Sequence, residues 1–167
     1  DDAMKLEGHV LICGFGRVGQ SVARLLDAEQ IPWAALDFDS ATVARERHAG
    51  QPVHYGDASR GEMLARLNAA QAQALVVTLD DPDAAGRLVA AAHRGWPKLP
   101  VLARARDIAH ADQLRRLGAS DVVAEIEEAS LQLGAMALER AGLPDDAVRQ
   151  RLERIRTAAV RSAVKPD

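Results

Sequence analysis

Only one cysteine, Cys13, occurs in the whole chain. It can close no internal disulfide and build no structural zinc site, which points to a reducing compartment. Basic excess is missing as well. The formal net charge is -3, whereas nucleic-acid binders draw their affinity from many Lys and Arg contacts to phosphate, so no nucleic-acid partner is expected. No run approaches the ~20 apolar residues that cross a bilayer, and the opening Asp1-Asp2-Ala3-Met4-Lys5 is not a signal sequence. His9, His48, His54, His93 and His110 stand at no metal-ligand spacing, and no metal is expected. There is no Gly-x-Ser-x-Gly elbow, and Cys13 closes an apolar run as a small filler. No catalytic residue is assigned, and the chain is expected not to be an enzyme.

What is present is globular. The 167 residues are 48% hydrophobic and 27% charged, enough for one packed domain and a small appendage. Apolar runs of strand length recur at His9 to Cys13, Trp33 to Leu36, Val53 to Tyr55, Leu75 to Thr78, Val101 to Ala105 and Asp121 to Val123, with helix-length segments between them. Runs such as Val10-Leu11-Ile12-Cys13 are apolar at consecutive positions, as strands covered on both faces are. The expected fold class is α/β, a Rossmann-like doubly wound parallel sheet, followed by a dimerising helix and a C-terminal helix. Punctuation agrees: Asp81-Pro82 reads as a cap followed by proline at the first helical position, and Asp107 and Gly118 bracket another helix. After Val123 the pattern changes. Ile126 to Ala141 is one helix with apolar or small residues on two faces, broken by Gly142-Leu143-Pro144. Asp145 then caps a helix carrying Val148, Leu152, Ile155 and Ala159 beside five arginines from Arg149 to Arg161.

Gly14, Gly16 and Gly19 form Gly-x-Gly-x-x-Gly directly after the first expected strand and opening the first expected helix. The first glycine permits a tight turn, the second lets backbone approach phosphate, and the third lets helix pack on sheet. Free N–H groups at the helix N-terminus then favour an anion. The loop Gly14-Phe15-Gly16-Arg17-Val18-Gly19 is therefore read as a phosphate site, with Arg17 a cation beside it. The second strand ends on Asp37, close to the ~20-residue spacing at which an acid receives ribose hydroxyls. Phe38 rather than an arginine follows, which disfavours a 2′-phosphate. Asp39 either caps the next helix or adds a second ligand contact.

Five stretches then match a family in register: Gly14 to Gln20, Leu36-Asp37-Phe38-Asp39, Tyr55-Gly56-Asp57-Ala58-Ser59-Arg60, Leu79-Asp80-Asp81-Pro82 and Ala103-Arg104-Ala105-Arg106-Asp107. With these the chain resembles the RCK (also called KTN) regulatory domain of Kef-type potassium/proton antiporters, from about His9 to Gly118 and more loosely to Leu143. The resemblance implies a cytoplasmic domain of an inner-membrane protein, with residues 1–8 a linker from the membrane antiporter domain of the same parent chain. Residues 9–124 would be the nucleotide-binding domain, 125–143 the dimerisation helix, 144–162 a C-terminal amphipathic helix and 163–167 a tail. It implies AMP or NAD(H) as regulatory ligand and a homodimer through helix 126–141. Asp37 and Asp39 would hold ribose, and Asp57 and Ala58 would face adenine. Thr78, Leu79 and Asp80 would line the far side of the cleft, and Arg104 would turn towards phosphate.

The same resemblance brings in glutathione gating, which relies on basic and polar groups around the dimer helix. Arg24 keeps to that pattern, but Glu125, Glu127 and Glu128 precede or open the helix and should repel an anionic peptide. Two rivals share the half-fold: a fragment of an NAD-dependent oxidoreductase, for which a substrate domain is missing, and a subunit of a Trk-type potassium uptake system, which usually carries two such domains per chain.

Overall fold

The fold is taken from a computed structural model that describes residues 5–163, with side chains described through Ala158. Residues 1–4 of the expected linker, residues 164–167 of the expected tail, and the side chains of Ala159 and Arg161 lie outside the described residues. Six strands form one sheet: β1 (Val10–Cys13), β2 (Trp33–Asp37), β3 (Val53–Tyr55), β4 (Ala74–Val77), β5 (Val101–Ala105) and β6 (Asp121–Ala124). Every neighbouring pair is parallel, and the order across the sheet is β3-β2-β1-β4-β5-β6. This is the doubly wound Rossmann-like order, in which chain direction across the sheet reverses between β1 and β4 and a crevice opens at the carboxyl ends of those strands.

Helices α1 (Arg17–Ala28), α2 (Ser40–His48), α3 (Gly61–Arg66), α4 (Pro82–Gly95) and α5 (Ile108–Leu117) supply the crossovers. Alternation along β1 shows why the sheet has two cores. Leu11 and Cys13 face a cluster with Leu36, Leu75, Leu88 and Leu114, while Val10 and Ile12 face one with Phe15, Trp33, Val43 and Val53. Both faces are thus covered, which a parallel sheet requires. The expected caps are present: Asp81 accepts from Asp83 N with Pro82 at the start of α4, Asp107 accepts from His110 N, and Gly118 ends α5 at φ +122°.

Beyond β6 the chain forms a helical hairpin of α6 (Glu125–Arg140) and α7 (Asp145–Ala163). Gly142, at φ +100°, lets Leu143 N donate back to the Leu138 carbonyl, the left-handed glycine turn that ends many helices. Asp145 is the first residue of α7, one place further in than a cap. Only Leu131 of α6 is buried, and Val148 is the buried anchor among the described side chains of α7. Ile126, Leu133 and Met136 stay exposed, Leu133 at 68%, so the burial expected on two faces of α6 is met on one. Among the described residues no helix is long and apolar enough to cross a membrane.

Candidate nucleotide-binding cleft

The β1–α1 turn is built around two contacts that exclude a side chain. Gly14 takes φ +103°, and a Cβ there would lie 2.5 Å from Thr78 Oγ1. A Cβ on Gly19 would overlap the Gly14 carbonyl oxygen. The turn is held from both sides, since Gly14 N donates to the Leu36 carbonyl at 2.9 Å and Thr78 Oγ1 donates to the Gly14 carbonyl at 2.6 Å. Gly16 differs from both: it is the N-cap of α1, at φ -80°, and a Cβ there would meet nothing within 4 Å. With no capping side chain, the first-turn N–H groups of Arg17, Val18 and Gly19 are left for an anion, reinforced by the helix dipole. Arg17 is exposed beside them, and its side chain makes no hydrogen bond or ion pair among the described residues.

Asp37, at the end of β2, is tied to that loop. Its Oδ2 accepts from Phe15 N and its Oδ1 from Asp39 N, both at 2.8 Å. Each carboxylate oxygen keeps a further lone pair, so Asp37 can shape the loop and receive a hydroxyl together. Asp39 caps α2, accepting from Ala41 N at 3.1 Å and from Thr42 Oγ1 at 2.9 Å, so of its two sequence readings the cap is the one with observed partners. Phe38 is 70% exposed at the rim. Two expected site residues are core residues by their side chains. Phe15 stacks on Trp33 at 5.4 Å beneath the loop, and Ala58 is buried against Leu64 and its neighbours. They can offer a ligand backbone only.

On the far side, Thr78 is buried and Asp80 exposed, with Leu79 between them. Arg104 lies beside them. It donates to the Thr78 carbonyl at 3.0 Å, pairs with Asp80 at 2.8 Å, and pairs with Glu125, the first residue of α6. Two carboxylates and a carbonyl thus surround the guanidinium that the resemblance turns towards phosphate. Glu125, read in the sequence as bare negative charge, has a cation of its own. The signal for it is the pairing of parallel β5 and β6, which sets Arg104 beside Val123, two residues before Glu125. Glu128 is likewise neutralised by a two-pronged bond from Arg156 of α7. Two of the three carboxylates that argued against an anionic peptide therefore carry their own cations.

A model of the TrkA-N domain matches residues 10–125, the span from β1 to the start of α6. The chain belongs to the TrkA-N domain family. It is homologous to potassium-efflux antiporters: it is 43% identical over 152 residues to "K(+) efflux antiporter 1, chloroplastic" of Arabidopsis thaliana, covering 91% of this chain and 13% of that protein. It is 35% identical over 156 residues to "Glutathione-regulated potassium-efflux system protein KefC" of Cronobacter sakazakii, covering 93% and 25%. The chain thus spans a quarter or less of the length of these relatives. A solved structure of "Shewanella denitrificans Kef CTD in AMP bound form" superposes with a TM-score of 0.78 at 34% identity, over 93% of this chain and 94% of that one.

Two carboxylates of this TrkA-N domain respond to acid. The Thr42 hydroxyl and the Ala41 amide hold Asp39 below its ordinary value of 3.8, and the Ser59 hydroxyl and amide do the same for Asp57. A carboxyl depressed in the folded state stabilises fully above its unfolded value and loses that contribution as pH falls through the lower folded value. Stability should therefore decline below about pH 4. A Thr42→Val, Ser59→Ala variant should show a shallower decline of its urea midpoint between pH 5 and pH 3, and a slope equal to wild type would refute the assignment. Cys13 takes no part, since burial pushes its thiol up to about 12.

Proposed function

We propose that this TrkA-N domain is the cytoplasmic nucleotide-sensing module of a Kef-type potassium/proton antiporter, binding AMP or NAD(H) to control transport without turning it over. The observation that carries the reading is the phosphate loop itself: a helix N-terminus without a capping side chain, open space over Gly16, and Asp37 anchored beside it. The 34% identity to a Kef CTD in AMP-bound form supports the choice of ligand. Phosphate would sit on the amides of Arg17, Val18 and Gly19 with the Arg17 guanidinium alongside. Ribose would bond Asp37, and the base would lie towards Phe38, Asp57 and Leu79. Asp39 and Arg104 serve as cap and brace to these contacts.

The partners follow the same reading. The exposed Ile126, Leu133 and Met136 of α6 would be covered by a second copy of this chain, and the membrane antiporter domain of the same parent chain would receive the signal. A nucleotide acts here by preferring one arrangement of the dimer over another, since only differential affinity moves an equilibrium.

AMP at a hundredfold excess over its Kd should stabilise the fold by about 2.7 kcal/mol, a rise in melting midpoint of roughly 5–10 °C for a chain of this size. Gly16→Ala places a methyl group in the open space where phosphate would lie. It should keep its unliganded midpoint within about 2 °C and lose AMP affinity by about tenfold, ~1.4 kcal/mol. Calorimetric titration of both proteins tests this, and equal AMP affinity in the two would remove phosphate from the loop. Oxidation of NADH by any added substrate would favour the oxidoreductase reading.

A further inference from the structure

We propose that Arg104 is a positioning residue that couples the nucleotide cleft to α6, transmitting ligand occupancy through its ion pair with Glu125. The proposal rests on the nucleotide-binding reading above. Its basis is a continuous chain of polar contacts with no solvent gap. The Gly14 carbonyl of the phosphate loop accepts from Thr78 Oγ1 at 2.6 Å, and that hydroxyl belongs to a buried residue. The Thr78 carbonyl accepts from Arg104 Nη1 at 3.0 Å, Arg104 Nη2 meets Asp80 at 2.8 Å, and Arg104 Nε meets Glu125. One planar guanidinium thus joins the end of β4, the end of β5 and the start of α6, giving each partner a separate nitrogen of a rigid fork, where an ammonium would gather its three donors at a single point.

The start of α6 is where such a brace has leverage. Its N-cap is Ala124, which offers no capping side chain, and the helix buries only Leu131. Among the acids of its first turn, Glu128 pairs outward with Arg156 of α7, and Glu125 alone has an observed partner on the nucleotide fold. Without ligand, the first turn is free to sample states in which the Glu125 pair is open. A nucleotide seated on the glycine loop fixes Gly14, and through it Thr78 and Arg104, so it favours the state in which Glu125 is held. By reciprocity, closing the Glu125 pair favours the nucleotide.

Amide hydrogen exchange read by mass spectrometry on a peptide spanning residues 122–131, with and without saturating AMP, tests this directly, alongside calorimetry of AMP binding. In wild type, AMP should slow exchange there by threefold or more. In Glu125→Gln the slowing should fall below 1.5-fold while AMP affinity stays within a factor of two to three. Glu127→Gln, on the same turn without that ion pair, should behave as wild type. Arg104→Lys keeps the charge but loses the fork and should also lose most of the slowing, which keeps the test decisive should Glu125→Gln fold poorly. AMP-bound wild type with no slowing, or variants at Glu125 and Arg104 that retain it, overturns the coupling while leaving the nucleotide site intact. Absence of any AMP binding to wild type is a separate result that removes the nucleotide reading and the coupling with it.

Discussion

Gly19→Ala should lower the melting midpoint by roughly 6–20 °C, from a loss of about 3–5 kcal/mol at ~2–4 °C per kcal/mol for a domain of this size. The reason is steric and has no inexpensive relief. The new Cβ would overlap the Gly14 carbonyl oxygen and lie 3.1 Å from its carbon and 3.3 Å from Ile12 Cγ2. Backbone cannot rotate away like the end of a long side chain. This stretch of it is also pinned, by Gly14 N on the Leu36 carbonyl and by Thr78 Oγ1 on the Gly14 carbonyl. Relief requires either lifting α1 off the sheet, which opens the core around Ile12, Phe15 and Ala23, or breaking the turn. Overpacking in a dense interior commonly costs about 1–3 kcal/mol, and a clash with fixed backbone belongs above that range. Differential scanning calorimetry of Gly19→Ala against Gly16→Ala makes the test internal to one loop. A Gly19→Ala midpoint within 2 °C of wild type would show that the turn is not as close as described.

That contrast also marks how far the sequence could be read. The three glycines were recognisable as a motif, and their different reasons followed from the family of turns that a strand–glycine–helix junction can make. The sheet was legible because strands covered on both faces must be apolar at consecutive positions, as in Val10-Leu11-Ile12-Cys13, and because Asp81-Pro82, Asp107 and Gly118 are local signals that tertiary structure had no cause to override. Side-chain direction within the loops was not legible. Nothing in the order Gly14-Phe15-Gly16 says that Phe15 turns under the turn to stack on Trp33, since a single residue between glycines carries no periodicity. Ala58, which the resemblance turns towards adenine, has its side chain in the core beside Leu64.

Arg104 is the instructive case. Strand alternation would put Arg104 and Arg106 on one face, but β5 ends at Ala105, so Arg106 is exposed while Arg104 is partly buried. Its partners, however, come from the end of β4 and the start of α6, far away in sequence. The resemblance turns Arg104 towards phosphate, and the carboxylates around it come into view only in the fold. The same long-range pairing changes the weight of Glu125 and Glu128, which read as bare negative charge in the sequence and are each matched by an arginine in the fold.

Asp37 is where sequence spacing and structure make the strongest joint claim, and its removal should have the largest effect on binding. In Asp37→Ala, Phe15 N and Asp39 N lose their acceptor. Asp39 N is exposed and water can replace the lost bond, whereas Phe15 N is partly buried. Hydrogen bonds to charged groups are worth about 1.5–3 kcal/mol, so the loop loosens and the ribose loses its acceptor in one step. AMP affinity should fall by about a hundredfold, ~2.7 kcal/mol. Affinity alone cannot separate a loosened loop from a lost ribose contact, but the ligand can. Wild type should prefer AMP over 2′-deoxy-AMP by about tenfold, ~1.4 kcal/mol, if a ribose hydroxyl donates to Asp37. In Asp37→Ala the two ligands should bind alike, because the acceptor that tells them apart is gone, and the coupling between the two deletions measures that bond. A preference for AMP that survives in Asp37→Ala would move the ribose to another acceptor and leave Asp37 as the clamp of the glycine loop alone.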